Sequence, residues 1–223
     1  MKKISYVTLI IFIICIIKII FYIYNSFNTK RIESISNSYI IPSKEYSIDF
    51  KKLKSINPDV IGYIEIEEID TRYLVVKGNN NSYYLNHNLE KEYSNSGWIF
   101  MDYRNNMSDK NIIIYGHNMK DGSMFGKLRT LLYKRGSGII NLYLEDGKHE
   151  YKIFSTYISD YEDYYLSTSF NSDIDFTNYL SVITGRSNYD YGFSFDSNDY
   201  ILTLSTCYKN TDKRVVIHAY KVL

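Results

Sequence analysis

Cysteine is nearly missing from this chain. Of its 223 residues only Cys15 and Cys207 carry a thiol, and Cys15 lies inside an apolar N-terminal run, where it reads as membrane filler. A single thiol outside that run excludes an internal disulfide. It also argues against a zinc shell: there is no Cys-x-x-Cys and no His-x-x-x-His, so no metal and no cofactor are expected. Phosphate-cradling glycine loops are lacking as well. Proline occurs twice, and Ala219 is the only alanine, which leaves helix-favouring composition thin. Nor is there an excess of charge of one sign. A formal net charge of +1 does not suit a nucleic-acid surface, which needs clustered Lys and Arg.

What is abundant favours strands. Tyrosine alone supplies 25 residues, and β-branched and aromatic residues suit a pleated, half-buried surface. Residues 4–24 are almost wholly apolar, interrupted chiefly by Lys18. At about 1.5 Å per residue that run matches the roughly 30 Å core of a bilayer. No small-residue cleavage site follows, so a retained transmembrane anchor is expected. Residues 25–45 are polar and read as a stalk; residues 46–223 form the folded domain. Within it, period-two runs predict strands at Val60–Ile66, Tyr73–Lys77, Gly97–Asp102, Asn111–Tyr115, Ile139–Leu144, Glu150–Ser159, Tyr200–Thr206 and Arg214–Val222. Eight strands with short connections suggest a mainly β domain, a closed barrel or sandwich. Helical spacing is expected at Tyr46–Ile56, Ser123–Tyr133 and Ser172–Arg186.

Cys207 ends a strand-like stretch and is either inert core or a nucleophile. Arg214 follows seven positions later, across a short loop between two strands expected to pair. A hairpin of that kind brings a guanidinium beside a thiol, where it would favour the thiolate or hold a developing oxyanion. Taken singly, such an Arg is most often a solvated surface charge. His117 follows Ile112-Ile113-Ile114-Tyr115-Gly116, where a buried strand runs out into a loop. It reads either as a proton partner for the thiol or as a structural histidine bonded to backbone. His87 is expected in a surface turn, His149 in an exposed turn, and His218 half-buried in the last strand without a role. Glu65, Glu67, Glu68 and Asp70 form an acidic patch without the glycine-turned loop of a calcium site. It reads as an exposed strand edge.

Thr203-Leu204-Ser205-Thr206-Cys207, with Tyr115-Gly116-His117 upstream and Arg214 downstream, resembles the sortases, membrane-anchored cysteine transpeptidases of Gram-positive bacteria. The likeness runs from about Ile56 to Leu223. Ser205 within the Cys motif, the segment Gly97-Trp98-Ile99-Phe100-Met101-Asp102-Tyr103-Arg104-Asn105 and the helical insertion before the Cys strand resemble class B. The resemblance implies an eight-stranded sortase-type β-barrel with an N-terminal helix. It implies Cys207 as nucleophile, Arg214 as oxyanion stabiliser and His117 as proton donor. Asn81, Tyr115, Tyr165, Leu166 and Ser205 would line the substrate groove. The implied partners are surface proteins bearing an Asn-Pro-x-Thr-like sorting signal and an amine of a lipid II-type peptidoglycan precursor. The implied topology is a cytoplasmic tip at residues 1–3, one membrane crossing at 4–24 and an extracellular catalytic domain. Two further readings stay open: a hydrolytic cysteine peptidase, and a non-catalytic barrel that binds peptide or wall.

Overall fold

The computed structural model describes residues 6–38, 40–41, 47–133, 138–160, 162, 164–209 and 211–222. The chain begins with one helix, α1 (Tyr6–Ser38). Its apolar part, Tyr6–Ile32, is long and apolar enough to cross a membrane. The expected stalk is therefore helical as far as Ser38, because neither Gly nor Pro interrupts the chain before Pro42. Residues 39 and 42–46 lie outside the described residues, as do the expected tip at 1–3 and the start of the apolar run. The far end of α1 docks on the domain. Thr29 Oγ1 lies 3.0 Å from Ser96 Oγ, Arg31 pairs with Glu90 at 2.9 Å, and Ile32 is buried in the main core.

A small pair, β1 (Ile40–Ile41) and β2 (Ser47–Ile48), precedes α2 (Phe50–Ile56). Asp49 caps α2 by accepting from the Lys52 N–H. The barrel strands are β3 (Val60–Ile66), β4 (Thr71–Val76), β5 (Phe100–Met101), β6 (Asn111–Tyr115), β7 (Ile139–Leu144), β8 (Gly147–Asp160), β9 (Ile201–Cys207) and β10 (Lys213–Lys221). They close in the order β10-β8-β7-β3-β4-β5-β6-β9. The β4–β5 and β6–β9 pairs are parallel; the others are antiparallel. The chain is thus a mainly β, eight-stranded closed barrel.

Three segments depart from their expected form; in the first, the helix expected over 46–56 starts only at Phe50, because Ser47 and Ile48 pair as β2. Gly97, at φ +55, turns the chain in a left-handed step, so the expected 97–102 strand shrinks to the two residues of β5. A Cβ there would meet the Tyr84 carbonyl at 2.3 Å, so no other residue fits. Over 123–133 only a 3-10 turn, Leu128–Leu132, forms, because Gly122 and Met124 both take positive φ and break the helical path. The 172–186 insertion forms α3 (Asp173–Gly185) as expected, capped by Ser172 accepting from the Asp175 N–H.

Strand β6 is covered on both faces, which explains its unbroken Ile-Ile-Ile run. Ile112 and Ile114 enter the main core with Trp98 and Phe125. Ile113 points the other way, against Tyr157, Tyr165, Leu166 and Val216. A polar chain threads this outer layer. Thr203 Oγ1 donates to Asn111 Oδ1 at 2.7 Å and so accepts from His218 Nδ1–H at 2.8 Å; Tyr157 OH then donates to His218 Nε2 at 2.9 Å. His218 is fully buried, not half-buried, and burial lowers its pKa to about 3. The unfolded chain then binds a proton that the folded chain refuses, so stability falls as pH drops from about 6.5 toward 3. Wild type is expected to lose about 2 kcal/mol more than His218→Gln between pH 7 and 4.5, read from urea midpoints. Equal losses would refute a neutral buried imidazole.

Glu65 corrects the expected exposed acidic edge. It is 6% exposed, and its carboxylate accepts from Arg72 Nε at 3.0 Å and from the Tyr143 hydroxyl at 3.2 Å. A guanidinium and a phenol satisfy the charge that burial would otherwise penalise. Glu67 and Glu68 sit in the 3-10 turn Glu67–Ile69. His87 is held in its turn by stacking on Tyr83, ring centroids 4.0 Å apart, and by its Nδ1 contact to the Tyr83 carbonyl. His149 is largely covered, with Nε2 2.8 Å from Asp146 Oδ1.

Candidate active site

Parallel pairing of β6 with β9 assembles the site. The register matches Ile113 to Thr203, Ile114 to Leu204 and Tyr115 to Ser205. Both strands therefore run out at the same end, and the next residues emerge side by side: Gly116 and His117 from β6, Thr206 and Cys207 from β9. Thr206 Oγ1 donates to the Gly116 carbonyl at 2.7 Å, and Asn118 Nδ2 donates to the Cys207 carbonyl at 2.8 Å. Gly116 keeps the packing close here, since a Cβ would lie 2.3 Å from Ile99 Cδ1 and 2.9 Å from the Phe125 ring, and both would have to shift. The third residue comes from β10. Antiparallel pairing sets Arg214 directly opposite Cys207, on the same face of the sheet.

Cys207, His117 and Arg214 are all half-buried, and all three line one cavity of about 330 Å³. His117 Nε2 lies 2.8 Å from the Leu85 carbonyl, an acceptor only, so this nitrogen carries the proton. Arg214 Nη1 donates to the Asp212 and Lys213 carbonyls at 2.9 and 3.2 Å, which anchors the guanidinium to its own loop. Asn81, Tyr115 and Ser205 also line the cavity.

Tyr165 and Leu166 do not. Both are buried behind the wall in the cluster around Ile113, because hydrophobic burial claims them. Tyr165 reaches the site through its hydroxyl, 3.3 Å from Ser205 Oγ.

Behind the wall lies a carboxylate that sequence reasoning left without a role. Asp102 is fully buried. It accepts from Arg104 N and Nε through Oδ1, and from Arg104 Nη2, Asn81 Nδ2 and Tyr115 OH through Oδ2, all between 2.8 and 3.0 Å. Burial pushes its carboxyl upward, but the bonds from Arg104 and Tyr115 outweigh that and hold it below the usual value. Burial, reinforced by the Asp102 charge, drives the Tyr115 phenol well above its ordinary pKa. Arg104 Nη2 also donates to the Leu166 carbonyl at 3.0 Å. One anion thus ties together two wall residues and the insertion. An acid two positions before an Arg, just past a short strand, was the available signal. Leu85 and Phe100, also in the lining, carried none.

The arrangement is a thiol, an imidazole and a guanidinium around a part-apolar slot, suited to acyl transfer through sulfur. Comparisons agree. The sortase domain family matches residues 64–222. Sortase B of Listeria monocytogenes is 37% identical over 171 residues, covering 71% of this chain and 67% of that protein. The crystal structure of Clostridium perfringens sortase B superposes with a TM-score of 0.74 at 36% identity, covering 78% of this chain and all of that one. The Staphylococcus aureus sortase B–substrate complex gives 0.71 at 31% identity, covering 87% and 91%. The chain belongs to the sortase family of cysteine transpeptidases, in class B.

Proposed function

We propose that this enzyme cleaves an Asn-Pro-x-Thr-like sorting signal after its threonine and joins the released acyl group to a peptidoglycan amine of the lipid II type. Cys207 Sγ attacks the threonine carbonyl carbon as its thiol proton passes to His117, and Arg214 donates to the oxyanion that forms. His117 passes a proton to the departing amine as the C–N bond breaks, leaving a thioester on Cys207. The incoming amine attacks that carbonyl; the C–S bond breaks, and His117 receives the amine's proton. Asn81, Tyr115 and Ser205 serve as the walls that hold the signal. Tyr165 supports Ser205, and Leu166 fixes Arg104 through its carbonyl. The apolar segment of α1 would anchor the chain by one membrane crossing, with the barrel outside a Gram-positive cell.

One observation carries this reading: the strand register that brings Cys207, His117 and Arg214 to a single cavity. The Staphylococcus aureus sortase B–substrate complex adds support, since a protein of like fold holds a substrate. The test incubates purified enzyme with a fluorogenic signal peptide, with and without triglycine or a diaminopimelate-type amine. Amide product is expected to rise with amine concentration at the expense of cleaved acid. Cleaved acid alone, at every amine concentration, would mean a hydrolytic peptidase.

A further inference from the structure

A second and larger cavity, about 750 Å³, opens beside the one that holds the sulfur. Its walls come from the loop after β6 and the connection between β9 and β10. Lys120, Lys127, Arg129 and Lys209 line it, against the single acid Asp121. That acid is engaged in its own turn, accepting from the Ser123 N–H at 3.0 Å and the Ser123 hydroxyl at 2.6 Å. Lys127 leans toward Asp70, 3.8 Å from its carboxylate. Lys209 takes a left-handed φ of 53, and its ammonium lies 5.0 Å from the Tyr208 ring centroid. The slot that contains Cys207 is different in kind, with Leu85, Phe100 and Tyr115 in its walls. One stretch of chain borders both. Asn118 lines the basic cleft while its amide holds the Cys207 carbonyl, and its neighbour His117 lines the slot.

A transpeptidase has to admit two substrates to one sulfur. We propose that the basic cleft receives the second: an amine acceptor whose carrier bears oxyanions, carboxylate or phosphate. This rests on the transpeptidation reading above. Lys209 stands two residues past Cys207, at most about 7 Å along the backbone, so an anion held there leaves its amine within reach of the thioester. The same positive charge does a second service. It disfavours the ammonium form of a nearby amine and enlarges the neutral, nucleophilic fraction. It also raises the local concentration of an anionic carrier.

The test compares three acceptors at saturating signal peptide: triglycine amide, triglycyl-diglutamate, and a triglycine coupled to an aminoethyl diphosphate. The readout is amide product by mass spectrometry, with KM for each acceptor. Wild type is expected to prefer the anionic acceptors, and added salt to erode that preference. In the double variant Lys120→Glu, Lys209→Glu, the KM of the anionic acceptors relative to triglycine amide is expected to rise about tenfold. The neutral pair Lys120→Gln, Lys209→Gln should fall between. Whichever anionic acceptor loses more identifies carboxylate or phosphate as the group recognised. An unchanged ratio in both variants, with wild type still forming amide, overturns the acceptor cleft alone. Wild type that forms no amide with any of the three overturns the transpeptidation reading instead.

Discussion

Cys207→Ala is expected to reduce product formation from a sorting-signal peptide at least about 10⁴-fold while leaving the barrel intact. The covalent route needs sulfur at that atom. Among the described residues the only other cysteine is Cys15, exposed on α1. The stability cost should stay within about 1 kcal/mol, because the thiol is half-buried at a strand end and lines a cavity instead of filling a core. The measurement pairs chromatographic product assay with calorimetry and with peptide binding by fluorescence anisotropy. Retained binding and melting temperature with lost turnover is the expected pattern. Turnover that persists in the variant would move the chemistry to another group and overturn Cys207 as the nucleophile.

Asp102→Ala should do the reverse, damaging the wall while sparing the reacting atoms. Removing a fully buried carboxylate leaves the Tyr115 hydroxyl and an Asn81 N–H without their acceptor, and unmet buried donors are costly. Arg104 can turn partly to water, since 41% of its side chain is exposed, which moderates the penalty for stranding a charge. The expected loss is about 2–4 kcal/mol, or a melting point lowered by about 5–12 °C. With Asn81 and Tyr115 released, KM for the peptide should rise about tenfold, with kcat less affected. Asp102→Asn keeps the volume and should recover part of the stability. A lower melting point with unchanged KM would reduce Asp102 to a scaffold residue.

Much of the barrel was legible because its signals are local. Alternation marked β3 and β8–β10, and an unbroken apolar run marked β6. The meeting of Cys207 with Arg214 was readable from hairpin spacing. That of Cys207 with His117 rests on a parallel pairing 90 residues apart in sequence, as the Thr206–Gly116 bond illustrates, and only the resemblance anticipated it. Where the reading missed, longer-range causes intervened. Gly97 shortened β5 because the Tyr84 carbonyl crowds it. The polar faces of α1 after residue 25 hid a helix that a docking contact at Ile32 completes. Glu65 resembled a surface acid until Arg72 and Tyr143 satisfied it. Tyr165 and Leu166 were taken for groove because a sequence does not say which side of a wall a side chain occupies.

With the anchoring proposed above, the unbroken α1 helix would mount the barrel on a mast instead of a slack cord. At about 1.5 Å per residue, its 33 residues reach about 50 Å. The contacts at Thr29, Arg31 and Ile32 bolt the barrel to it at one bearing. Aiming the thiol toward another quarter would then require the whole rod to spin. On such a mount, capture of cargo would become a matter of azimuth, set by docking residues that never meet the sulfur.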